Sequence, residues 1–271
     1  MRPEPAGRAA GRSKRRSRGW YRLISPLAVL LLWQVASSAG LVSPAKVPSP
    51  VDVWTTAIRL ITTDSPAYGT LQGALVASLQ RMASGFALGA AVAVLLAVVA
   101  GLSRVGETIV DPLMQMLRTV PLFGLIPVFI VWFGIGQEPK LLLIALGAAV
   151  PLYLNTFAGI RNVDPKLVEA GRVLGLNRLE VLRHVVLPGA LPHILVGLRQ
   201  SLGAAWLSLV VAEQLNTNAG LGFLINQATQ FLQNDVIFVV LIVYTILGLL
   251  TDWLVRLAER KALAWRRELV S

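Results

Sequence analysis

The sequence predicts an all-α fold, a polytopic membrane protein of six transmembrane helices. Composition is the first sign. Hydrophobic residues make up 55% of the chain and charged residues 14%, whereas a soluble domain carries about a quarter charged residues. The second sign is a set of apolar runs near the roughly 20 residues a membrane span needs: Leu23–Ala45, Met82–Ser103, Thr119–Gln137, Leu141–Ile160, Ile194–Ala212 and Val236–Thr251. The third is charge asymmetry. With the N-terminus inside, 20 Lys and Arg fall in cytoplasmic segments and three, Lys46, Arg59 and Lys140, fall outside. Such a bias orients membrane proteins. It also accounts for the net charge of +11 without nucleic acid as a partner.

Residues 1–22 hold eight Arg and Lys among Gly, Pro and Ser, the composition of a disordered cytoplasmic tail. Segment 23–70 reads as a first span and an extracytoplasmic connector. The run at Leu23 also fits a signal peptide, with Ala36-Ser37-Ser38-Ala39 as the small-residue site. The long basic tail suits a retained anchor better. Between Lys46 and Thr70, Val51–Ile61 reads as a short interfacial helix. In the second run, Gly85, Gly89, Ala93, Ala97 and Gly101 recur every four residues, a stripe along which another helix can approach closely.

Arg104–Arg118 reads as a short polar turn. The third run is interrupted by Pro121, Gly124 and Pro127. Breaks of that kind survive in a membrane where they face protein or a water-filled cavity, so Pro121 and Pro127 are candidates for a translocation path, as well as for plain kinks. The fourth run carries Pro151 and Asn155, the fifth Arg199, and Asn155 and Arg199 join the path candidates. Charge near the lipid is costly. An anionic substrate would explain Arg81 and Arg199, but both lie near span ends, and snorkelling to the interface is the favoured reading. Glu213–Asp235 reads as a polar connector with a Gly220-Leu221-Gly222 turn. Segment 256–271 is a second basic tail.

Within this apolar sequence, Asp164–Pro192 is a polar, basic island. Asp164-Pro165 reads as a helix start and Gly175 as its glycine terminator. A second short helix covers Leu179–Val186, with Pro188 stopping it. Two short charged helices joined at a glycine cannot cross a bilayer; they suit a rigid docking knob.

The same island resembles the EAA loop of ATP-binding-cassette (ABC) importer permeases. That pattern is Glu-Ala-Ala, three residues, Gly, nine residues, Ile, one residue, Leu-Pro, and Glu169, Ala170, Gly175, Leu187 and Pro188 fall on it. Gly171 stands for the second Ala and Val185 for the Ile. Pro48-Ser49-Pro50, Ser78-Leu79-Gln80-Arg81, Trp132-Phe133-Gly134, Gly197-Leu198-Arg199, Ala212-Glu213 and Gly220-Leu221-Gly222 extend the resemblance over roughly 48–255 to the nitrate/sulfonate/taurine branch, most like aliphatic-sulfonate permeases.

The resemblance implies a type I (MetI-like) permease core over 71–255, with 164–192 as the coupling loop. It implies a permease homodimer, a cytoplasmic ABC ATPase dimer, an extracytoplasmic substrate-binding protein and both termini in the cytoplasm. Taurine, nitrate, bicarbonate or a pyrimidine or vitamin precursor stay open as substrates.

The chemistry of the residues agrees with a subunit that does not itself catalyse. There is no Gly-Lys pair, so no phosphate loop, and ATP is expected on the partner ATPase. With no cysteine and the histidines His184 and His193 read as polar interface residues, no cofactor or metal site is expected. A stand-alone secondary transporter or channel is the competing class, and it would require inverted repeats or acidic residues within spans.

Overall fold

The computed structural model describes residues 21–43, 46–64, 69–214 and 217–264. Most of the basic tail 1–22, together with Arg266 and Arg267, lies outside these. The helices are α1 (Tyr21–Ser38), α2 (Pro50–Thr62), α3 (Leu71–Leu102), α4 (Arg104–Thr119), α5 (Ile126–Phe133), α6 (Glu138–Arg161), α7 (Pro165–Val173), α8 (Arg178–Val181), α9 (Leu187–Gln214), α10 (Leu221–Gln230) and α11 (Asn234–Ala262). Among the described residues, four helical stretches are long and apolar enough to cross a membrane: 71–102, 138–161, 178–214 and 234–262. A fifth span results if α4 and the 122–133 segment, bent by 96°, count as one. The first expected span is a shorter apolar helix over Ile24–Ser38.

α6 is the central element, between α3 on one side and α9 on the other. The four-residue stripe of α3 explains the first contact. Ala93 and Ala97 are fully buried. A Cβ on Gly85 would stand 2.8 Å from the Ile144 side chain, and one on Gly89 would overlap the backbone carbonyl of Ala145. Bringing backbones this close lets α3 and α6 gain dispersion contacts along their whole length. A second seam, between α6 and α9, is built the same way: a Cβ on Gly159 would stand 2.7 Å from His193, and one on Gly197 2.7 Å from Asn155.

A separate cluster assembles around α2, α10 and α11. Val53, Thr56 and Leu60 are the buried face of α2, set three and four residues apart as a helix requires. They pack with Leu221, Leu224, Val236 and Val240 of α10 and α11. Ser49 caps α2, and the Ser49 hydroxyl and amide hold the Asp52 carboxyl below its ordinary value. The Thr56 hydroxyl donates to Asp235 at 2.6 Å, and Arg59 pairs with Asp235 at 3.3 Å.

Two expectations are corrected. Arg104–Arg118 is not a short turn but α4, which packs against α3 and α6 through Gly106 and Met114. Its polar residues had masked an amphipathic helix. The span continues only after a break at Val120-Pro121, where Pro121 supplies no amide hydrogen for a helical bond. Pro188 likewise does not stop a helix. The backbone passes from α8 through a π turn, Leu182–Val186, directly into α9. The Leu187 amide bonds the carbonyl of Leu182, widening the turn that precedes the proline ring. Pro192 also lies inside α9.

The close approach at Gly89 generates a test. Gly89→Val would force α3 and α6 apart, costing about 1–3 kcal/mol or more. Gly248→Ala, where a Cβ meets nothing within 4 Å, should be neutral or stabilising by up to ~1 kcal/mol. Melting of the purified variants in detergent should show a large loss for the first and none for the second.

Candidate coupling loop and a buried ion pair

The loop is built by strong local signals. Asp164 caps α7 by accepting from the Lys166 amide at 2.9 Å. α7 ends in a glycine motif: Gly175 has φ +83°, its amide bonds the Arg172 carbonyl, and the Leu176 amide bonds that of Gly171. This is the six-to-one, five-to-two pattern of a Schellman cap. Asn177 then starts α8 in a reciprocal capping box with Glu180. The chain therefore turns sharply with its backbone groups satisfied.

A cluster of Ile160, Val181, Val186 and Ala190, joined by Val163, Val168 and Leu176, holds the knob against the bundle. Gly171 is buried, and a Cβ there would make ordinary contacts of 3.4–3.6 Å with Leu176, Val185 and Val181. The departure from Ala at this position is thus sterically mild.

The structure brings Glu169, Ala170 and Gly175 to the exposed side of this knob, while Leu187 and Pro188 are half-buried where it enters α9. Beside them stand Val173 at 88%, Leu174 at 80% and Leu179 at 71% exposure, an apolar tip on a charged loop. Glu169 is not at the helix start. Asp164 occupies that position, and Glu169 lies beyond the first turn, where the dipole term fades.

The path candidates are scattered. Pro121 and Pro127 are exposed at the break between α4 and α5. The Asn155 amide donates to the Pro151 carbonyl and to Gln200 at 2.9 Å, tying α6 to α9. Arg199 pairs with Asp252 at 3.4 Å and with Glu259, both on α11.

Sequence reasoning missed the most connected polar site. Glu213 is fully buried near the end of α9. It pairs with Arg81 of α3, itself 7% exposed. The Ser78 hydroxyl lies 2.8 Å from both Glu213 carboxylate oxygens, the Gly222 amide donates to it at 3.0 Å and the Tyr244 hydroxyl at 3.0 Å. Arg81 Nε donates to Gln137 at 2.8 Å. The Gly220-Leu221-Gly222 turn wraps this pair closely. Gly220 has φ +123°, and a Cβ on Gly222 would meet the Glu213 side chain. Arg81 and Arg199 are therefore both ion-paired within the chain, and Arg81 is buried rather than snorkelling. The available signal was an arginine in an otherwise uncharged stretch, which calls for a counterion.

Residues 77–263 match the family model described as binding-protein-dependent transport system inner membrane component. The chain belongs to this family. The permease match takes in the island, Arg81, Glu213 and Arg199, and leaves out α1 and α2. Over 253 residues, 93% of this chain and 90% of the relative, it is 46% identical to the putative aliphatic sulfonates transport permease protein SsuC of Bacillus subtilis. It is 45% identical to the protein of the same name from Escherichia coli, covering 89% of each chain. It is 35% identical to the Escherichia coli taurine transport system permease protein TauC over 90% of each.

The fold is also that of a chain in the crystal structure of an amino acid ABC transporter with histidines. The TM-score is 0.58 at 20% identity, covering 69% of this chain and 92% of that one. The protein is thus a multi-pass permease subunit of an ABC importer, non-catalytic, with ATP hydrolysed by a partner and a substrate-binding protein in the system.

In this permease the ion pair should behave as a unit. Glu213→Leu alone leaves Arg81 buried without its counterion, a loss of about 3–5 kcal/mol, whereas an apolar replacement of both partners is often nearly neutral. Melting in detergent should rank Arg81→Met/Glu213→Leu above either single variant. Additive single-variant losses would contradict this.

Proposed function

We propose that the permease imports aliphatic sulfonates, that two copies enclose the path about a two-fold axis, and that 164–192 is the cytoplasmic dock for an ABC ATPase. The single observation behind the dock is the exposed Val173-Leu174-Leu179 tip beside Glu169, on a knob whose turns are all capped. An exposed apolar patch with a polar rim marks a protein interface. The knob also continues without interruption into a 37-residue helical stretch, Arg178–Gln214, about 55 Å long at 1.5 Å per residue. Force applied at the dock would therefore reach the opposite end of the bundle.

Support for two copies comes from the break at Val120–Ile126. Irregular backbone at membrane depth needs a protein or aqueous neighbour, yet Pro121, Phe123, Pro127 and Trp132 are exposed in the single chain. A partner copy would cover them and set Pro121, Pro127 and Asn155 along the shared path. Arg199, whose charge α11 already neutralises, is the weakest of the path candidates. The positive charge bias supports termini and dock in the cytoplasm. The sulfonate assignment follows the higher identity to sulfonate permeases than to the taurine permease or to a bicarbonate transport permease at 33%.

Two experiments test this. Reconstituted with its ATPase and binding protein, the importer should move alkanesulfonates in preference to taurine or bicarbonate. Gly175→Val places a β-branched residue at positive φ, a strain of about 1–2 kcal/mol confined to the loop, and Glu169→Lys reverses an exposed charge. Both variants should reach the membrane at near-normal levels and lose transport with uncoupled or weakly bound ATPase. Lys166→Gln should matter little. Normal transport by both would reduce the loop to a connector.

A further inference from the structure

Behind the dock lies a cavity that the coupling reading does not use. The ends of α3 and α6, together with α7 and α8, line an open cavity of about 930 Å³. Leu102, Ile160 and Val186 form part of its apolar wall, and Arg161, Arg172 and Arg178 line it as well. Arg161 is engaged by Glu107 at 3.1 Å. Among the described residues, the Arg172 and Arg178 side chains have no ion-pair or hydrogen-bond partner. Two exposed arginines without a counterion thus border a partly apolar space at the level where two spans end.

We propose that this cavity binds the phosphate ester of an anionic phospholipid from the leaflet that surrounds the dock. The guanidinium fork matches phosphate oxygens in bidentate fashion, and basic pockets between membrane helices on the cytoplasmic side take lipid head groups. The apolar wall at Leu102 and Ile160 supports the first carbons of the acyl chains. A free inorganic phosphate would gain nothing from that wall, which decides in favour of the lipid. The bound head group would wedge α7 and α8 against the ends of α3 and α6 and fix the angle of the dock. The proposal rests on the cytoplasmic placement of the loop but not on its contact with the ATPase.

The test uses the whole permease–ATPase complex in bilayers of phosphatidylcholine with or without phosphatidylglycerol. Retained lipid is counted by native mass spectrometry after mild extraction. The complex should retain phosphatidylglycerol over phosphatidylcholine. Arg172→Gln/Arg178→Gln should weaken that retention about thirtyfold, equivalent to about 2 kcal/mol at ~1 kcal/mol per charge. Arg172→Lys/Arg178→Lys, which keeps the charge and loses the fork, should fall between. Arg183→Gln, in the same loop but outside the cavity, should keep the preference.

Unchanged retention in the Gln variant would overturn the proposal. So would displacement of the lipid by added inorganic phosphate, which would mark a soluble-anion site. Loss of ATPase from the Gln variant already in pure phosphatidylcholine would also overturn it, by assigning the arginines to the dock. None of these outcomes alters the Gly175→Val comparison, so the lipid site and the coupling loop can fail separately.

Discussion

Four elements of the structure converge on one buried carboxylate. Removing Glu213 from water costs several kcal/mol, and that cost is met only because Arg81, Ser78, Tyr244 and the Gly222 amide converge on it. These partners come from α3, α11 and the first turn of α10, so one charge ties α9 to three other elements. Because α9 is continuous with α8, the knob at the other end is tied through one helical stretch to this pair. A long rigid element anchored at one end and exposed at the other is what a coupling device requires.

Small residues supply the second constraint. With no hydrophobic drive between helices in lipid, association relies on close packing and on internal hydrogen bonds. The α3 stripe seats α6 so tightly that Ala93, Ala97 and Ala148 have no exposed surface, and Gly159 and Gly197 do the same between α6 and α9. The three-helix layer is therefore closely packed, and the broken α4–α5 segment and α1 lie outside it. In the proposed arrangement the layer carries displacement from the dock, and the broken segment is the surface that a second copy covers.

Much of this was legible from residues. The α3 stripe, the Asp164 cap and the positive φ at Gly175 are local signals carried by a few neighbouring side chains, and each stands in the structure as expected. The departures share a physical cause. Pro188 reads as a stop because a proline normally costs a helix its bond, and no local rule announces that a π turn will absorb it. Glu213 reads as the start of a connector because its partner, Arg81, lies 132 residues away. A pairing between two span ends becomes visible only once the helices are assembled. The second glycine seam escaped for a similar reason: its members sit on two helices without a repeat on either. Arg104–Arg118 was hidden by its own polarity, since an amphipathic helix and a polar turn look alike over 16 residues.

The central claim, that the knob at 164–192 meets an ATPase, can be tested directly because the chain has no cysteine and a single one can be placed without interference. Val173→Cys, at the most exposed point of the tip, should form a short-range crosslink to the ATPase in the intact importer, with a yield that changes when nucleotide is added. Gln230→Cys, at the exposed end of α10, should form none. A Val173→Cys residue that reacts only with reagents applied from outside the cell, or that never crosslinks to the ATPase in a transport-active complex, would contradict the account.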